Sequence, residues 1–529
     1  MAPAFLALIR GNTGRRAALA AILALAAALR LHRLPEQGLL LFDEGFLVRE
    51  ARSISTISGN LAALAGGNNL KRPVARQALA DSVNKSPVLF AKPVHNFLLA
   101  SVLALEPRAE LATLGLSAVA GILTVLATYL LGQTLFGWSA GIIGALLLAV
   151  SPYHLLYSRS GLSDSLAILF WTASLWAWIR GGKYSSLVSG VAGGLCIASN
   201  YRELFIPLVF LILAFREAEG IRTGAASFAA WLGGFLAVML AFELPYLIAE
   251  SLSGSSFPNG TWIGQLGTLL SFHGSQGFLF SGWPAFFYHF ASWEGAGSLA
   301  WLIVAAAFQF SRWGGKDGAL NLALLLPWFI FSAYWDNASR FFSIIIPLVA
   351  IMKGRWIIEG WRFARNKSGG VPATILVLAV FLAVLPRVRP MVPRHTPYAV
   401  AAKTITESGI PFHFSTNPWI GDALLGPGAS APFPPDPRLL KREIPARYAV
   451  TDLQALFGGF YQPENRYRTA GWVAKRYKAI LVLPYSPEAL RQYIFEQDLD
   501  FQGATRLFKE LENQSPSLKV FDLSRPIRR

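Results

Sequence analysis

The sequence predicts a mainly α-helical, polytopic membrane protein with a small soluble α/β domain at its C-terminal end. Composition is the first reason. Of 529 residues, 53% are hydrophobic and only 15% charged, where a soluble globular chain carries about 25% charged residues. Mean hydropathy is +0.43. Apolar runs are the second reason. Gly141–Val150, Leu204–Phe215 and Ile375–Leu385 are three of many, and a chain with few charges and repeated apolar runs is built to cross a bilayer repeatedly. The third is a change of character after Pro386, where prolines, charges and short mixed runs replace the long apolar ones.

The net charge of +17 does not point to nucleic acid. The Lys and Arg residues sit mostly in short loops between apolar runs, where they fix topology. Cys196 is the one cysteine, which excludes an intrachain disulfide and a CxxC metal site.

The first element is the run Ala17–Leu29, preceded by Arg10, Arg15 and Arg16 and followed by Arg30. It reads as an uncleaved first span with the N-terminus inside. Arg30 and Arg33 are expected to snorkel outward while apolar residues continue to Leu34. Residues 37–86 then form a long outer loop. It opens with LFDEGFLVREARSIS, Leu41 to Ser55, where Asp43 and Glu44 are adjacent. From Glu44 to Ile57 the apolar residues Phe46, Ala51, Ile54 and Ile57 alternate with Arg49, Glu50 and Arg52 at helical period. This predicts an amphipathic helix along the membrane surface. Asn60–Asn69 predicts a Gly/Asn-rich turn.

Further spans are expected at Pro87–Leu105, Leu111–Leu131 and Trp138–Leu155. Basic clusters at Arg180/Lys183, Arg216/Arg222, Arg312/Lys316 and Lys353–Lys367 are assigned inside. That leaves 250–284, 335–340 and everything after Pro386 outside. Upstream the count does not close, because three full crossings would put Asp164 inside. One short segment therefore stops short of a crossing, and 11–13 spans are expected. Residues 1–390 form the membrane module and 391–529 the soluble extracytoplasmic α/β domain. In the latter, strands are expected at Tyr448–Thr451, Ala479–Leu483 and Val520–Leu523, with helices at Ala399–Glu407, Pro487–Gln497 and Ala504–Leu511. The proline-rich Gly426–Pro437 reads as a loop.

The adjacent carboxylates have three readings: a cap on a helix N-terminus, solvated loop residues, or groups in a site. Other charges gather on the same face. Lys85 lies in NKSPVLF, Arg159 and Asp164 in SPYHLLYSRSGLSDSLAILF, and Asp336 and Arg340 in WDNASRFFSIIIPL. Two acids with several bases on one face fit a substrate that bears negative charge and undergoes proton transfer.

Taken together, LFDEGFLVREARSIS, the lysine–proline start of the second span, SRSGLSD and SRFFSIIIP resemble the GT-C class of membrane glycosyltransferases. The nearest likeness is to the protein O-mannosyltransferases and the lipid A aminoarabinose transferases, over roughly Ala17 to Lys353. The resemblance implies an enzyme of the cytoplasmic membrane with its active site and C-terminal domain outside. It would move a hexosyl or pentosyl group from a polyprenyl-phosphate carrier to a hydroxyl on an acceptor lipid, glycan or protein, with inversion. Asp43 matches the general base, and Glu44 stands beside it as a catalytic candidate that either orients a neighbour or caps the helix. Lys85 and Arg340 match bases that hold the donor phosphate, and Arg159 joins that candidate set. Arg202, in SNYRELF, stands where relatives carry a lysine; anchoring a span end is its other reading. Asp164 and Asp336 are supporting acids. Asn84 stands where some relatives have a metal-holding acid, so no metal ligand is assigned, no cofactor is certain and a divalent ion stays an alternative. His273 and His289 read as solvated loop histidines. The partners implied are the donor lipid, the acceptor and the surrounding membrane lipids.

The competing reading is a transporter or flippase of a lipid-linked sugar. It needs bases for phosphate but not the acidic pair, and internal repeats of the kind common in transporters are not found.

Overall fold

The computed structural model describes residues 12–66, 72–86, 92–268, 282–334, 336, 338–368, 388, 396–409, 412–441, 446–457, 464–497 and 499–527. The expected run Ile375–Leu385, most of the linker that follows it, and His273 lie outside the described residues.

Four described helical stretches are long and apolar enough to cross a membrane: Thr13–Gln37, Ala109–Phe136, Ile221–Ser253 and Ser339–Phe363. Pro93–Leu105, Ser185–Ser199 and Ala296–Phe310 are apolar but shorter. At 1.5 Å per residue such helices reach only about 20–23 Å; with them and one bent pair the described residues hold eight candidates, fewer than the expected 11–13. The chain is nonetheless an integral membrane protein by its helices.

The expected span Trp138–Leu155 is broken. Trp138–Ala149 and Pro152–Ser158 meet at 64°. The Ser151 side chain accepts a hydrogen bond from the His154 backbone N–H, and Pro152 occupies the first turn, a helix start that forces a new direction. The break lies in the stretch where the inside–outside count fails to close. It also corrects the expectation for Arg30. That residue does not snorkel; it is fully buried. It donates to the carbonyls of Ala26 (3.2 Å) and Ala149 (3.1 Å) and lies 2.7 Å from His154 Nδ1. Carbonyls freed at a helix break inside a membrane need a donor, and Arg30 supplies it.

Close packing holds this region. A Cβ on Gly141 would lie 2.6 Å from the Tyr129 carbonyl oxygen, and one on Gly354 would lie 2.8 Å from Gly144 N. Small residues let the backbones of Ala109–Phe136, Trp138–Ala149 and Ile346–Ser368 touch, the usual way apolar helices associate where burial from water gives no drive.

The first-loop helix runs from Phe42 to Gly66, through the turn expected at Asn60, and a second follows at Arg72–Lys85. The amphipathic helix does not lie bare. It packs on Pro93–Leu105, on Arg72–Lys85 and on Pro418–Leu425 of the C-terminal domain.

The C-terminal domain holds a five-stranded mixed sheet in the order β2-β1-β3-β5-β4. The strands are β1 (His413–Ser415), β2 (Ser430–Pro432), β3 (Tyr448–Thr451), β4 (Tyr477–Pro484) and β5 (Ser517–Pro526). β1 pairs parallel with β2 and β3, and β5 pairs antiparallel with β3 and β4. Phe414, Phe433, Ala449, Val473 and Phe521 form its core. The three expected strands are present. β1 and β2 are three residues each, too short to show a period, and β2 sits inside the expected proline-rich loop.

Two contacts seat this domain on the membrane module. Trp419 meets Phe42 edge-on at 4.7 Å between ring centroids, and Arg52 Nη1 donates to the Asp422 carbonyl at 3.0 Å. A Cβ on Gly45 would lie 2.6 Å from Ile420 N, so the helix can be approached this closely only at a glycine. On the other side, Phe495 packs against Tyr288 (5.4 Å) and His289 (5.1 Å). His289 is thus buried among aromatics, not solvated as expected, because the docked domain covers it.

Candidate active site

Asp43 stands in the first turn of the Phe42–Gly66 helix, where the helix dipole favours an anion. Its neighbour Glu44 holds that start in place. Glu44 is buried. Its Oε2 accepts from the backbone N–H of Leu40 (2.5 Å) and Leu41 (2.8 Å), and its Oε1 accepts from Gly161 N (2.6 Å). The arrangement is that of a capping box, in which an acid in the first turn reaches back to orphan donors. It also ties the SRSG turn to the helix. Of the two roles open to Glu44, the geometry gives the cap.

The Asp43 carboxylate points the other way. Its Oδ2 accepts from Arg340 Nη1 at 2.7 Å. Arg340 opens the Ser339–Ile345 turn, and its side chain is 11% exposed against 26% for Asp43. The opposite edge of the guanidinium, Nε, lies 3.2 Å from Glu496 Oε2. Glu496 belongs to the C-terminal domain, just past the helix Pro487–Phe495. Its Oε1 accepts from Tyr157 OH (2.5 Å) and Ser339 Oγ (2.8 Å).

A second pair lies alongside. Asp164, buried at the start of Asp164–Arg180, accepts from Arg202 Nη2 at 2.9 Å and from Asn200 Nδ2 at 3.2 Å. Arg202 stacks over Phe341 at 4.6 Å, next to Arg340 in sequence. Arg202 Nη1 and Asp164 Oδ2 are buried without a hydrogen-bond partner among the described residues, so this pair retains unused hydrogen-bonding capacity there.

Lys92 completes the set. It is buried at the N-cap of Pro93–Leu105, with Asp43, Arg202, Asp164 and Arg340 as its charged neighbours. Burial outweighs the two acids and brings its ammonium down to about 8. For Asp43 the balance runs the other way. Burial alone would raise its pKa, but Arg340, Lys92 and Arg202 together hold it below the usual carboxylate range. The site therefore sets three cations near an ionised carboxylate, with further acids behind them.

Asp43, Arg340, Arg202 and Asp164 are thus brought together, with Asp336 at the edge. Asp336 is buried, accepts from Ala338 N at 3.1 Å and adds to the field on Arg340. Lys85 is not brought in. It is exposed at the end of Arg72–Lys85. Arg159 is not at the cluster either. It is buried and its Nη1 donates to the carbonyls of Leu29 (3.0 Å), Arg30 (2.9 Å) and His32 (3.0 Å). It caps the first helix, whose last carbonyls have no partners of their own. Lys92 had a legible signal, a lysine directly before a proline; Glu496 had none. Among the described residues no group of three or more His, Cys, Asp or Glu side chains is placed to hold a metal ion.

A family profile for dolichyl-phosphate-mannose-protein mannosyltransferases matches residues 85–248, under a third of the chain and containing Lys92, Asp164 and Arg202. A search among curated proteins gives no match. Among solved structures, the chain is similar to the oligosaccharyltransferase of Archaeoglobus fulgidus in its apo form. Identity is 11% and the TM-score 0.57, over 97% of this chain and 89% of that one. The archaeal oligosaccharyltransferase AglB from the same organism, in complex with an inhibitory peptide and a dolichol-phosphate, gives 12%, 0.55, 96% and 88%. ArnT from Cupriavidus metallidurans in the apo state gives 14%, 0.55, 84% and 94%. At these identities the likeness is one of fold.

Proposed function

We propose that this chain, which has the fold of the GT-C glycosyltransferase superfamily, moves a sugar from a polyprenyl-phosphate carrier to an acceptor hydroxyl, with Asp43 as general base. One observation carries the reading: an ionised carboxylate at a helix start, held by Arg340 and ringed by Lys92 and Arg202. An alcohol is a poor nucleophile until its proton is taken. A phosphate leaving group needs positive charge aimed at its oxygens. The cluster offers both within one site. The profile match over 85–248 and the dolichol-phosphate held by AglB, which shares the fold, support the carrier class.

In the free protein the three bases lower the basicity of Asp43. A donor phosphate drawn to Arg340, Lys92 and Arg202 offsets their charge and lets the Asp43 pKa rise. The base is therefore strengthened when the donor is in place. The acceptor oxygen then bonds to the anomeric carbon as its proton passes to Asp43. The bond from that carbon to the phosphate oxygen breaks, and its electron pair stays on the polyprenyl phosphate. Direct displacement inverts the anomeric centre. As Asp43 is protonated it releases Arg340, whose charge turns to the phosphate as that group gains its own. The assignments of the cytoplasmic membrane, with site and C-terminal domain on the outside, and of an accessory domain beyond residue 390 belong to the same proposal.

The test is a mass measurement. Purified protein in lipid nanodiscs is given polyprenyl-phosphate sugars, hexosyl and pentosyl in turn, with cell-envelope lipids, glycans and proteins as acceptors. Release of polyprenyl phosphate together with a matching mass gain on one acceptor class is the expected result. Release without any acceptor gain, or movement of intact donor across the bilayer, refutes it.

A further inference from the structure

Glu496 is out of place for an accessory domain. Its side chain is 1% exposed, it comes from beyond the last described membrane helix, and every partner described for that side chain is in the membrane module. Tyr157 OH and Ser339 Oγ both donate to one oxygen and also contact each other. The other oxygen faces Arg340 Nε at 3.2 Å. A single guanidinium thus stands between two carboxylates, Asp43 on the first loop and Glu496 on the C-terminal domain.

We propose that Glu496 is a positioning residue of the active site: it holds Arg340 from the side opposite Asp43, and its charge sets how much of the guanidinium is left for the donor phosphate. This rests on the donor site described above. The acid is held by a tyrosine and a serine, and its second oxygen lies 3.2 Å from Arg340 Nε without hydrogen-bond geometry, so it acts on the guanidinium through its charge. It also makes the site incomplete until the C-terminal domain is seated. The Trp419–Phe42 and Phe495–Tyr288 contacts that seat it are therefore coupled to donor binding.

The sign follows from the groups that face Glu496. Burial raises its pKa most; Arg340, Tyr157 and Ser339 lower it and Asp164 raises it, for a value of about 7. Tyr153 also feels its charge. Below that pH Glu496 is neutral and Asp43 alone competes with an anion for Arg340. Above it the new carboxylate competes for Arg340. Donor affinity should therefore fall as pH rises through about 7. A second fall near 8 belongs to Lys92, which loses its proton there.

The probe is undecaprenyl-phosphate-mannose, a phosphodiester whose single charge is constant from pH 5 to 9. Its affinity for the full chain is measured across that range. Wild type should lose about two- to threefold between pH 6 and 7.5, which is what one group titrating near 7 gives in that window when its full coupling is about fivefold, the lower end of the typical range. Glu496→Gln, which keeps an acceptor for Tyr157 and Ser339, should be flat in that window and weaken only near 8. Glu496→Asp should restore a step, and Lys92→Arg should keep the step near 7 while losing the upper one. A Gln variant that retains the lower step, or a wild type without it, overturns the inference. Failure of the wild type to bind the probe at any pH overturns the donor-site reading instead.

Discussion

Replacing Arg340 with alanine separates catalysis from stability. Arg340 makes a 2.7 Å charge-assisted hydrogen bond to Asp43 and faces Glu496 at 3.2 Å. Removing one partner of a buried pair costs about 3–5 kcal/mol when the remaining charge is stranded. Neither carboxylate is stranded here. Glu496 already lies at about 7 and takes up a proton once its cation is gone. Asp43 is 26% exposed and can be hydrated. The expected loss of stability is therefore only about 1–2 kcal/mol, below that range. The loss at the donor phosphate is the larger effect. A hydrogen bond to a charged group contributes about 1.5–3 kcal/mol, which is roughly 10–150-fold in kcat/KM. Arg340→Lys keeps the charge but not the fork that reaches both carboxylates, and should fall between. The assay is release of polyprenyl phosphate from a labelled donor, with thermal unfolding measured on the same samples. A kcat/KM for Arg340→Ala within threefold of wild type would refute the assignment of Arg340 to the leaving group.

Lys92→Ala should weaken donor binding by about 10-fold or more, while Lys85→Ala, at an exposed helix end, should change it less than twofold; titration with undecaprenyl-phosphate-mannose decides between the two lysines. Arg159→Ala strips one donor from three carbonyls, one of them buried, and should lower stability by about 1–3 kcal/mol, with donor affinity of the folded fraction unchanged. Gly45→Ala places a methyl against the backbone at Trp419 and Ile420; it should loosen the C-terminal domain, seen as faster proteolysis in the linker, and lower donor affinity with it.

Much of this site is legible in the sequence because charge is rare in the chain. Asp43, Asp164, Arg202 and Arg340 stand out as ionisable residues at the ends of apolar runs. The sequence points to Lys85, and putting Lys92 in its place needs the fold. Both precede a proline, but only Lys92 is adjacent to one, which puts it at the N-cap of the helix that Pro93 opens. Glu44 and Arg159 look like site residues for the same reason as Asp43. The cap of Glu44 on Leu40 and Leu41 is local and was one of its readings, but its bond from Gly161 and the bonds of Arg159 to Leu29 through His32 are tertiary contacts that leave no local pattern. Glu496 lies in an ordinary amphipathic helix end, and its partners Arg340 and Tyr157 are far off in sequence. The break at Ser151-Pro152 was readable as a helix start, yet the apolar run across it predicts one span. β1 and β2 owe their place to pairing with β3, not to any period of their own.

The central claim is that Asp43 takes the acceptor proton. Its most direct test is Asp43→Asn, isosteric and able to keep the helix start, measured for sugar transfer with the donor and acceptor that wild type uses. The account predicts normal folding, donor binding retained, and a rate about 10²–10⁴-fold lower, with the wild-type product inverted at the anomeric carbon. Near-wild-type turnover in Asp43→Asn, or a product that retains the donor configuration, would contradict it.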